Sequence, residues 1–292
     1  MSAPAAPTPT GPDPAGASIE CSYVLPLRRW RFEPIDELVT YLERLAEVVD
    51  DVVVVDGSAP PIFAAHAAAL PPAVRHVPVD PARTGGFGKV NGVLTGVDRA
   101  RHERIVLADD DVRYDRATLA AAVAGLDRAH LVRPQNHFDP LPWHARWDTS
   151  RSLLNRALGH DHPGTLIVRR SAVLATGGYD ADVLFENLEL PRTIEASGGR
   201  VVDAHGLFVA RRPSSFAHFR SQRVRQAYDS FATPVRMAGE LAVLPAVATA
   251  LARRRPGFDA AGALATVAVA EAGRRRAGGA RVFPPSTAWF AP

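Results

Sequence analysis

The sequence predicts an α/β fold in which a mostly parallel sheet carries helices on both faces. From Ser18 to about Phe231, short apolar runs alternate with amphipathic stretches, the rhythm of strand, helix, strand units. The run Asp51–Asp56 (DVVVVD) is continuous rather than alternating, which is typical of a strand buried on both faces. The chain has 292 residues, 47% of them hydrophobic, so it can bury a sizeable core.

The individual segments support this class in chain order. Ile19–Leu25 is an apolar run that predicts a first strand, and Pro34 opens a helix whose apolar residues keep helical spacing. The further predicted strands are Asp51–Asp56, Val74–Val77, Arg104–Ala108 and His130–Arg133, and the further predicted helices are Lys89–Ala100 and Arg116–Arg128, the second capped by Asp115.

Three regions differ in composition. Residues 1–17 contain five prolines and few bulky apolar groups, which predicts disorder. Residues 18–233 form the predicted main domain. Residues 234–292 form a predicted helical, basic extension with eight arginines against three acids, a charge of +5, in which the apolar stretches Met237–Leu251 and Ala260–Ala270 each precede an arginine triplet. This extension either packs on the main domain or lies on a membrane surface with anionic headgroups.

Composition also excludes several classes of protein. A net charge of +3 does not favour a nucleic-acid binder, and one cysteine, Cys21, excludes a disulfide scaffold and fits a reducing compartment. We find no run of 18 apolar residues and no basic start followed by an apolar run, which predicts neither a spanning helix nor a signal peptide. The predicted location is the cytoplasm, with the inner face of the membrane as the peripheral alternative.

Three consecutive aspartates follow the predicted strand Arg104–Ala108. Side chains alternate in an extended segment, so we expect Asp109 and Asp111 on one side and Asp110 on the other. Two carboxylates at the carboxyl end of a buried strand suit a hard divalent ion, Mn²⁺ or Mg²⁺, that completes its shell with water and phosphate oxygens. A solvated turn that caps the next helix is the other interpretation, but three adjacent acids repel one another and favour the metal site.

Two further segments suit a nucleotide. Asp56 precedes Gly57 at the end of a predicted strand, where its carboxylate can accept hydrogen bonds from a nucleobase or ribose. Lys89 is the one lysine among 34 basic residues and lies in a glycine-rich segment, 85–92, that leads into a helix. Such a helix start offers amide groups and an ammonium to an anion. A simple turn and a flexible loop are the respective alternatives.

Taken in order, these motifs resemble those of family 2 glycosyltransferases with the GT-A fold. The set is Asp-Gly-Ser at 56–58, Gly-Lys-x-Asn-Gly at 88–92, Asp-x-Asp at 109–111, Glu-x-x-x-Leu at 186–190 and Gln-x-x-Arg at 222–225. The resemblance covers about residues 19–231 and is strongest to the membrane-associated branch of ceramide glucosyltransferases and cellulose synthases. It implies a Rossmann-like GT-A fold, a UDP- or GDP-hexose donor, and Mn²⁺ or Mg²⁺ as cofactor.

The resemblance also implies roles for individual residues. Asp109 and Asp111 are expected to hold the metal. The expected donor-binding residues are Pro26, Asp56, Lys89, Asp109, Asp110, Gln222 and Arg225, with Asp56 at the base. Gln222 and Arg225 would share one face of a helix, and the guanidinium fork suits a diphosphate, although a solvated basic helix is the alternative for this segment.

The segment expected to hold the catalytic base departs from the family pattern. Family members usually have Glu-Asp here, whereas this chain has Glu186-Asn187, and a neutral amide cannot take a proton. Glu186 is therefore the first candidate for the base that deprotonates the acceptor hydroxyl, and Glu189 is the second. Inversion of configuration is expected; another base, or retention, is the alternative.

The sequence thus predicts a metal-dependent hexosyltransferase that acts on a hydroxyl acceptor. The acceptor candidates are Trp143, His144, Trp147 and His162, which lie where the family places its acceptor cleft. The basic, apolar extension favours a lipid acceptor at an anionic membrane. One rival is a non-catalytic nucleotide-sugar-binding protein, motivated by Asn187. The other is a nucleotidyltransferase, which is disfavoured because Pro26–Arg29 lacks a glycine-rich signature.

Overall fold

The computed structural model describes residues 16–86, 88–180, 186–221, 234–254 and 256–291. Its strands are β1 (Ile19–Leu27), β2 (Val49–Asp56), β3 (Val74–Pro78), β4 (Arg104–Ala108), β5 (Val112–Arg113), β6 (Leu131–Phe138), β7 (Thr165–Arg169) and β8 (Val201–Arg211). Its helices are α1 (Asp36–Ala46), α2 (Pro60–Ala69), α3 (Gly88–Arg99), α4 (Arg116–Ala124), α5 (Trp143–Leu158), α6 (Arg170–Ala175), α7 (Glu186–Ala196), α8 (Pro234–Ala252) and α9 (Pro256–Arg275). Most of the expected N-terminal segment, residues 1–15, lies outside this description.

The strands form one mixed sheet in the order β3-β2-β1-β4-β7-β6-β8-β5. Strands β3, β2, β1 and β4 are mutually parallel, and β8 runs parallel to β6. The antiparallel neighbours are β4 with β7, β6 with β7, and β5 with β8. The predicted α/β class with a mostly parallel sheet flanked by helices is confirmed, and the carboxyl ends of β1, β2 and β4 meet at one edge.

The valine run of β2 explains why both faces of the sheet are covered. Val52 and Val54 pack in the same core cluster as Leu38 and Leu42 of α1, whereas the intervening Val53 and Val55 pack on the other face with α3. Alternate residues of a strand point to opposite faces, and complete burial of each valine contributes roughly 1.5 kcal/mol or more. The expectation of a strand buried on both faces is confirmed.

Two helices have ends that differ from the predicted ones. The first helix begins at Asp36 rather than Pro34. Asp115 caps α4 as predicted, accepting a hydrogen bond from the Thr118 amide at 2.7 Å. The α4 helix ends at Ala124 instead of continuing to 128, and a 3₁₀ turn follows. Gly125 lies so close to β6 that an added Cβ would stand 2.9 Å from Val132, so this close approach requires glycine.

A third core cluster joins the C-terminal region to α5. Leu153 of α5 packs with Ala270 of α9 and with Phe283 and Ala288 beyond it. Arg156, 1% exposed, spans this interface. It donates hydrogen bonds to the Gln135 side chain at 2.7 Å and to the backbone carbonyls of Gly273, Arg276 and His205. Burial lowers the pKa of this arginine to about 10. The second apolar stretch of the extension therefore packs on the main body.

The first apolar stretch, in α8, is different. Leu241, Val243, Leu244 and Val247 are between 38% and 78% exposed. This helix is apolar yet largely uncovered, an arrangement more typical of a helix that meets a partner or a lipid surface. Within the described ranges, we find no helix with the length and apolar character needed to cross a bilayer.

Candidate active site

The three aspartates stand where β4 ends, and their backbone is tied to two other strands. The Asp109 amide donates to the Gly164 carbonyl, just before β7, at 2.8 Å, and the Arg212 amide donates to the Asp111 carbonyl at 2.7 Å. The β5–β8 pairing places Val112 opposite Arg211. The strand ends therefore bring Arg211 beside the aspartates.

The alternation of the three side chains is confirmed by their partners. Arg211 donates through Nε to Asp111 Oδ2 at 2.7 Å, and its Nη2 lies 3.7 Å from Asp109 Oδ2. Asp110 turns the other way and pairs with Arg29 in the loop after β1. Asp109 and Asp111 therefore present their carboxylates together on one side of the segment.

Asp109 also reaches the start of α3. The Lys89 ammonium lies 2.5 Å from Asp109 Oδ1, and the Lys89 Nζ lies 3.5 Å from the Asn187 side-chain oxygen of α7. Three segments that are far apart in sequence thus meet at one point. The single lysine of the chain thus lies beside Asp109.

Asp111 is a carboxylate whose hydrogen-bonding capacity is satisfied only in part by the described residues. Burial, together with the charges of Asp109 and Asp110, raises the pKa of Asp111 despite the opposing effect of Arg211. Its Oδ1 atom is buried and has no hydrogen-bond partner among the described residues. A hard cation coordinated by this oxygen would satisfy it, so the residues fit a divalent ion.

The described residues contain no cluster of three or more His, Cys, Asp or Glu side chains arranged to hold a metal ion. The pair Asp109 and Asp111 would therefore supply only part of a coordination shell, and ligand oxygens and water would supply the rest. Gly164 leaves room for this arrangement, because a Cβ there would stand 2.9 Å from Asp109 Oδ2 and 3.3 Å from the Arg211 guanidinium carbon.

Asp56 lies at the end of β2 with its carboxylate enclosed. Its Oδ2 is 2.6 Å from His66 Nδ1 and 3.1 Å from His76 Nε2, and Oδ1 accepts from the Ser58 amide at 2.8 Å. Burial opposes ionisation, but the hydrogen bonds with His76, Ser58 and His66 hold the pKa of Asp56 well below its usual range. The two histidines were not predicted, because neither is near Asp56 in sequence. Pro26 pairs with Val55 in the β1–β2 register.

The candidates for the catalytic base lie on α7. Glu186 begins this helix and Glu189 follows three residues later. Glu189 is partly buried, and the Glu186 side chain lies outside the described residues, as do Gln222 and Arg225. The contact between Lys89 and the neighbouring Asn187 places the start of α7 beside the aspartates.

Arg211 also lines a cavity of about 130 Å³. It is bounded by β6, α5, the segment before β7 and the end of β8. Its lining is mostly polar: Asn136, His137, Phe138, Asp148, Thr149, Arg151, Ser152, Asn155, Asp161, His162 and Arg211. Burial lowers the pKa of His137, which favours its neutral form. Of the four acceptor candidates, the lining includes His162.

Trp143 and His144 belong to an aromatic cluster at the start of α5, and Trp147 lies one turn further along the same helix. Trp143 packs on Phe216 with ring centroids 5.1 Å apart, and His144 contacts Phe219 at 5.5 Å. Trp143 and Trp147 are about half exposed, at 54% and 52%. These side chains are on the surface rather than in the cavity wall.

Sequence reasoning missed Arg28, Arg29 and Arg211. Arg28 and Arg29 directly follow β1, so the rule that ligands bind beyond the carboxyl ends of parallel strands could have identified them. Arg28 lies against the start of α3, where an added Cβ on Gly88 would be 2.8 Å from its Nη1. No local signal identifies Arg211, because a long-range strand pairing brings it to the site.

The mixed sheet with charged groups at the carboxyl ends of its parallel strands defines a GT-A type of α/β fold. The comparison with solved structures agrees. A mannosyltransferase from Pyrobaculum calidifontis, in complex with GDP-Man and Mn²⁺, is similar over 93% of this chain and 90% of its own, with a TM-score of 0.55 and 18% identity. At this identity the likeness shows the shared fold.

A second solved structure is more distant. Glucosyl-3-phosphoglycerate synthase from Mycobacterium tuberculosis, in complex with Mn²⁺, UDP-Glc and phosphoglyceric acid, aligns with 77% of this chain and 81% of its own at 17% identity and a TM-score of 0.48. No family model matches the sequence, and no curated protein matches it.

Proposed function

We propose that this chain is a metal-dependent glycosyltransferase that moves a hexose from a nucleotide sugar to a hydroxyl acceptor. The observation that carries the proposal is the pair Asp109 and Asp111, which face one side at the carboxyl end of β4 with Lys89 and Arg211 beside them. Carboxylates and basic groups at this edge of a parallel sheet suit a metal ion and a diphosphate. The mannosyltransferase with the same fold is in complex with a nucleotide sugar and Mn²⁺.

In this proposal, Asp109 and Asp111 hold the Mn²⁺ or Mg²⁺. When bound, the metal neutralises the charge that develops on the leaving nucleoside diphosphate. Lys89 and Arg29, which contact Asp109 and Asp110, can donate to the phosphate oxygens. Pro26, Asp110, Gln222 and Arg225 complete the proposed donor site. The Asp56 carboxylate, which is enclosed by His66, His76 and Ser58, would act by holding the end of β2 in place beside that site.

We assign the catalytic base to Glu186, with Glu189 as the second candidate. The support is the contact that brings the start of α7 beside Lys89 and Asp109. A carboxylate near the donor can take the proton of the acceptor hydroxyl as that oxygen attacks the sugar, which inverts the configuration.

The proposed acceptor site is the cavity next to Arg211. Its amide, hydroxyl, carboxylate and guanidinium groups can donate to and accept from the hydroxyls of an acceptor head. His162 lies in the wall of this cavity. On α5, which also lines the cavity, the side chains of Trp143, His144 and Trp147 offer an apolar surface to the remainder of a lipid acceptor.

The proposal includes contact between α8 and a membrane surface. Its apolar residues Leu241 and Leu244 are 68% and 78% exposed, and Arg253 and Arg254 follow at its end. An uncovered apolar helix with basic residues beside it suits an anionic headgroup layer. Since α9 packs on α5, the membrane contact is assigned to α8 alone.

A thermal-shift panel tests the donor site. UDP-, GDP- and TDP-hexoses are added with and without Mn²⁺, and we expect one base to raise the melting temperature only when Mn²⁺ is present. A second assay, for release of nucleoside diphosphate in the presence of an acceptor preparation, then distinguishes a glycosyltransferase from a non-catalytic nucleotide-sugar-binding protein. Asn187, which has an amide where the family has an acid, favours a non-catalytic sugar-nucleotide binder, and binding without release would support that rival.

A further inference from the structure

Arg211 occupies the position next to both proposed metal ligands. Its guanidinium donates to Asp111 at 2.7 Å and approaches Asp109 at 3.7 Å. The β5–β8 pairing fixes the backbone from which this side chain extends, and Gly164 leaves the space that it needs. One side chain thus contacts both of the carboxylates that are proposed to hold a divalent ion.

Among the described residues, the three aspartates and their direct basic partners have no net charge when taken together. Each aspartate has a basic partner: Asp109 pairs with Lys89, Asp110 with Arg29 and Asp111 with Arg211. The side chains of the three aspartates are only 18% to 31% exposed, so solvent screens these charges incompletely. A free divalent ion would leave two uncompensated positive charges here. A divalent ion together with a nucleotide sugar, whose diphosphate carries two negative charges, preserves the balance.

We infer that Arg211 is a built-in counter-cation that makes binding of the metal depend on binding of the nucleotide. This inference rests on the metal-dependent donor site proposed above. Without nucleotide, the guanidinium competes with the metal for Asp109 and Asp111. When the diphosphate arrives with the metal, the phosphate oxygens offer Arg211 an alternative partner and release both carboxylates. Arg211 is a positioning residue in this scheme, and linkage requires that the metal strengthens nucleotide binding by the same factor.

Manganese titrations followed by the electron paramagnetic resonance of free Mn²⁺ test this directly. The full chain, R211Q and R212Q are titrated alone and with saturating UDP or GDP. Arg212 is the matched control, because it is the neighbouring arginine and bonds to Glu37 at 2.6 Å and to the Asp139 carbonyl at 2.7 Å instead. R211M, which also removes the positive charge but keeps a long side chain, is the second variant if R211Q melts early, and the same change in Mn²⁺ binding is expected of it.

We expect the unmodified chain to bind Mn²⁺ weakly alone and more tightly with the nucleoside diphosphate. R211Q should tighten Mn²⁺ binding without nucleotide at least about fivefold, the lower end of ordinary coupling between sites, and should reduce the gain from nucleotide. R212Q should behave like the unmodified chain. If R211Q leaves Mn²⁺ affinity unchanged or weaker, the inference is wrong while the metal site stands. If the unmodified chain binds no Mn²⁺ even with UDP or GDP, the proposed metal site fails and the inference fails with it.

Discussion

Arg211 and Asp111 are 100 residues apart in the chain and are joined by a 2.7 Å hydrogen bond from the guanidinium Nε to the carboxylate. The bond exists because β5 lies antiparallel to β8 at the edge of the sheet, with Val112 opposite Arg211. The same side chain lies 3.7 Å from Asp109 Oδ2 and also lines the cavity. Arg211 is therefore a residue that the proposed donor and acceptor sites share.

Replacement of Asp111 tests the proposed metal site. D111N should remain folded, because burial already raises the pKa of this carboxyl and the amide oxygen can still accept from Arg211. It should lose the Mn²⁺-dependent rise in melting temperature produced by the nucleotide sugar. The control is D98N, which changes an aspartate that pairs with Arg83 away from the site. An unchanged rise in D111N would remove Asp111 from the metal site.

Replacement of Glu186 tests the proposed base. E186Q should lower kcat at least about 10²-fold, the usual scale of general-base catalysis, and leave donor affinity nearly unchanged. Steady-state release of nucleoside diphosphate and a donor titration give the two values. E189Q is the matched control from the same helix. If E189Q shows the loss instead, Glu189 is the base.

The carboxylate between two histidines predicts a pH-dependent contribution to stability. D56N should lower the free energy of unfolding by about 1 to 3 kcal/mol at pH 7, because the buried groups around Asp56 lose a charged acceptor. The folded-state pKa of Asp56 is depressed, so its contribution is present above its ordinary pKa of about 4 and declines as the pH falls below that value.

Urea unfolding at several pH values checks this. D50N is the control, because Asp50 is an exposed strand residue that pairs with His102, and exposed pairs contribute at most about 1 kcal/mol. A difference between D56N and the unmodified chain that grows as the pH falls would contradict the assignment.

The buried Arg156 predicts how the C-terminal region is attached. R156M should lower the free energy of unfolding by about 3 kcal/mol, because the carbonyls of Gly273, Arg276 and His205 lose their donor. Limited proteolysis should then cut within residues 256–291 sooner. R128M, at an exposed arginine, should change neither measurement. Equal protease resistance in R156M would mean that the packing around Leu153 alone holds this region.

The exposed α8 predicts association with vesicles. The full chain should float with anionic vesicles at low salt and remain bound at about 0.5 M salt, where surface charge is largely screened, because apolar side chains insert. The double variant L241E/L244E should lose the salt-resistant part. L158E, at an 82% exposed leucine outside α8, is the control. A full chain that stays free of anionic vesicles at low salt would exclude the membrane proposal.

Several structural features of this protein follow from its local sequence. The valine run of β2, the Asp115 cap and the alternation of Asp109 to Asp111 depend on backbone periods of two or on neighbours a few residues away. The strand ends likewise place the aspartates and Lys89 near one edge by a rule of parallel sheets. Such features can be predicted because their physical causes lie within a few residues of one another.

Only the tertiary structure decided the partners of these groups. Asp56 is enclosed by His66 and His76. The charges of Asp110 and Asp111 are neutralised by Arg29 and Arg211. Arg156 joins α9 to the sheet. The tertiary structure also gives different environments to the two apolar stretches of the extension, which are similar in sequence. Ala270 in the second stretch is buried against Leu153, whereas Leu244 in the first stretch is exposed. These outcomes depend on pairings between segments up to about 120 residues apart. Burial and charge compensation become specific only when the strands and helices have packed together.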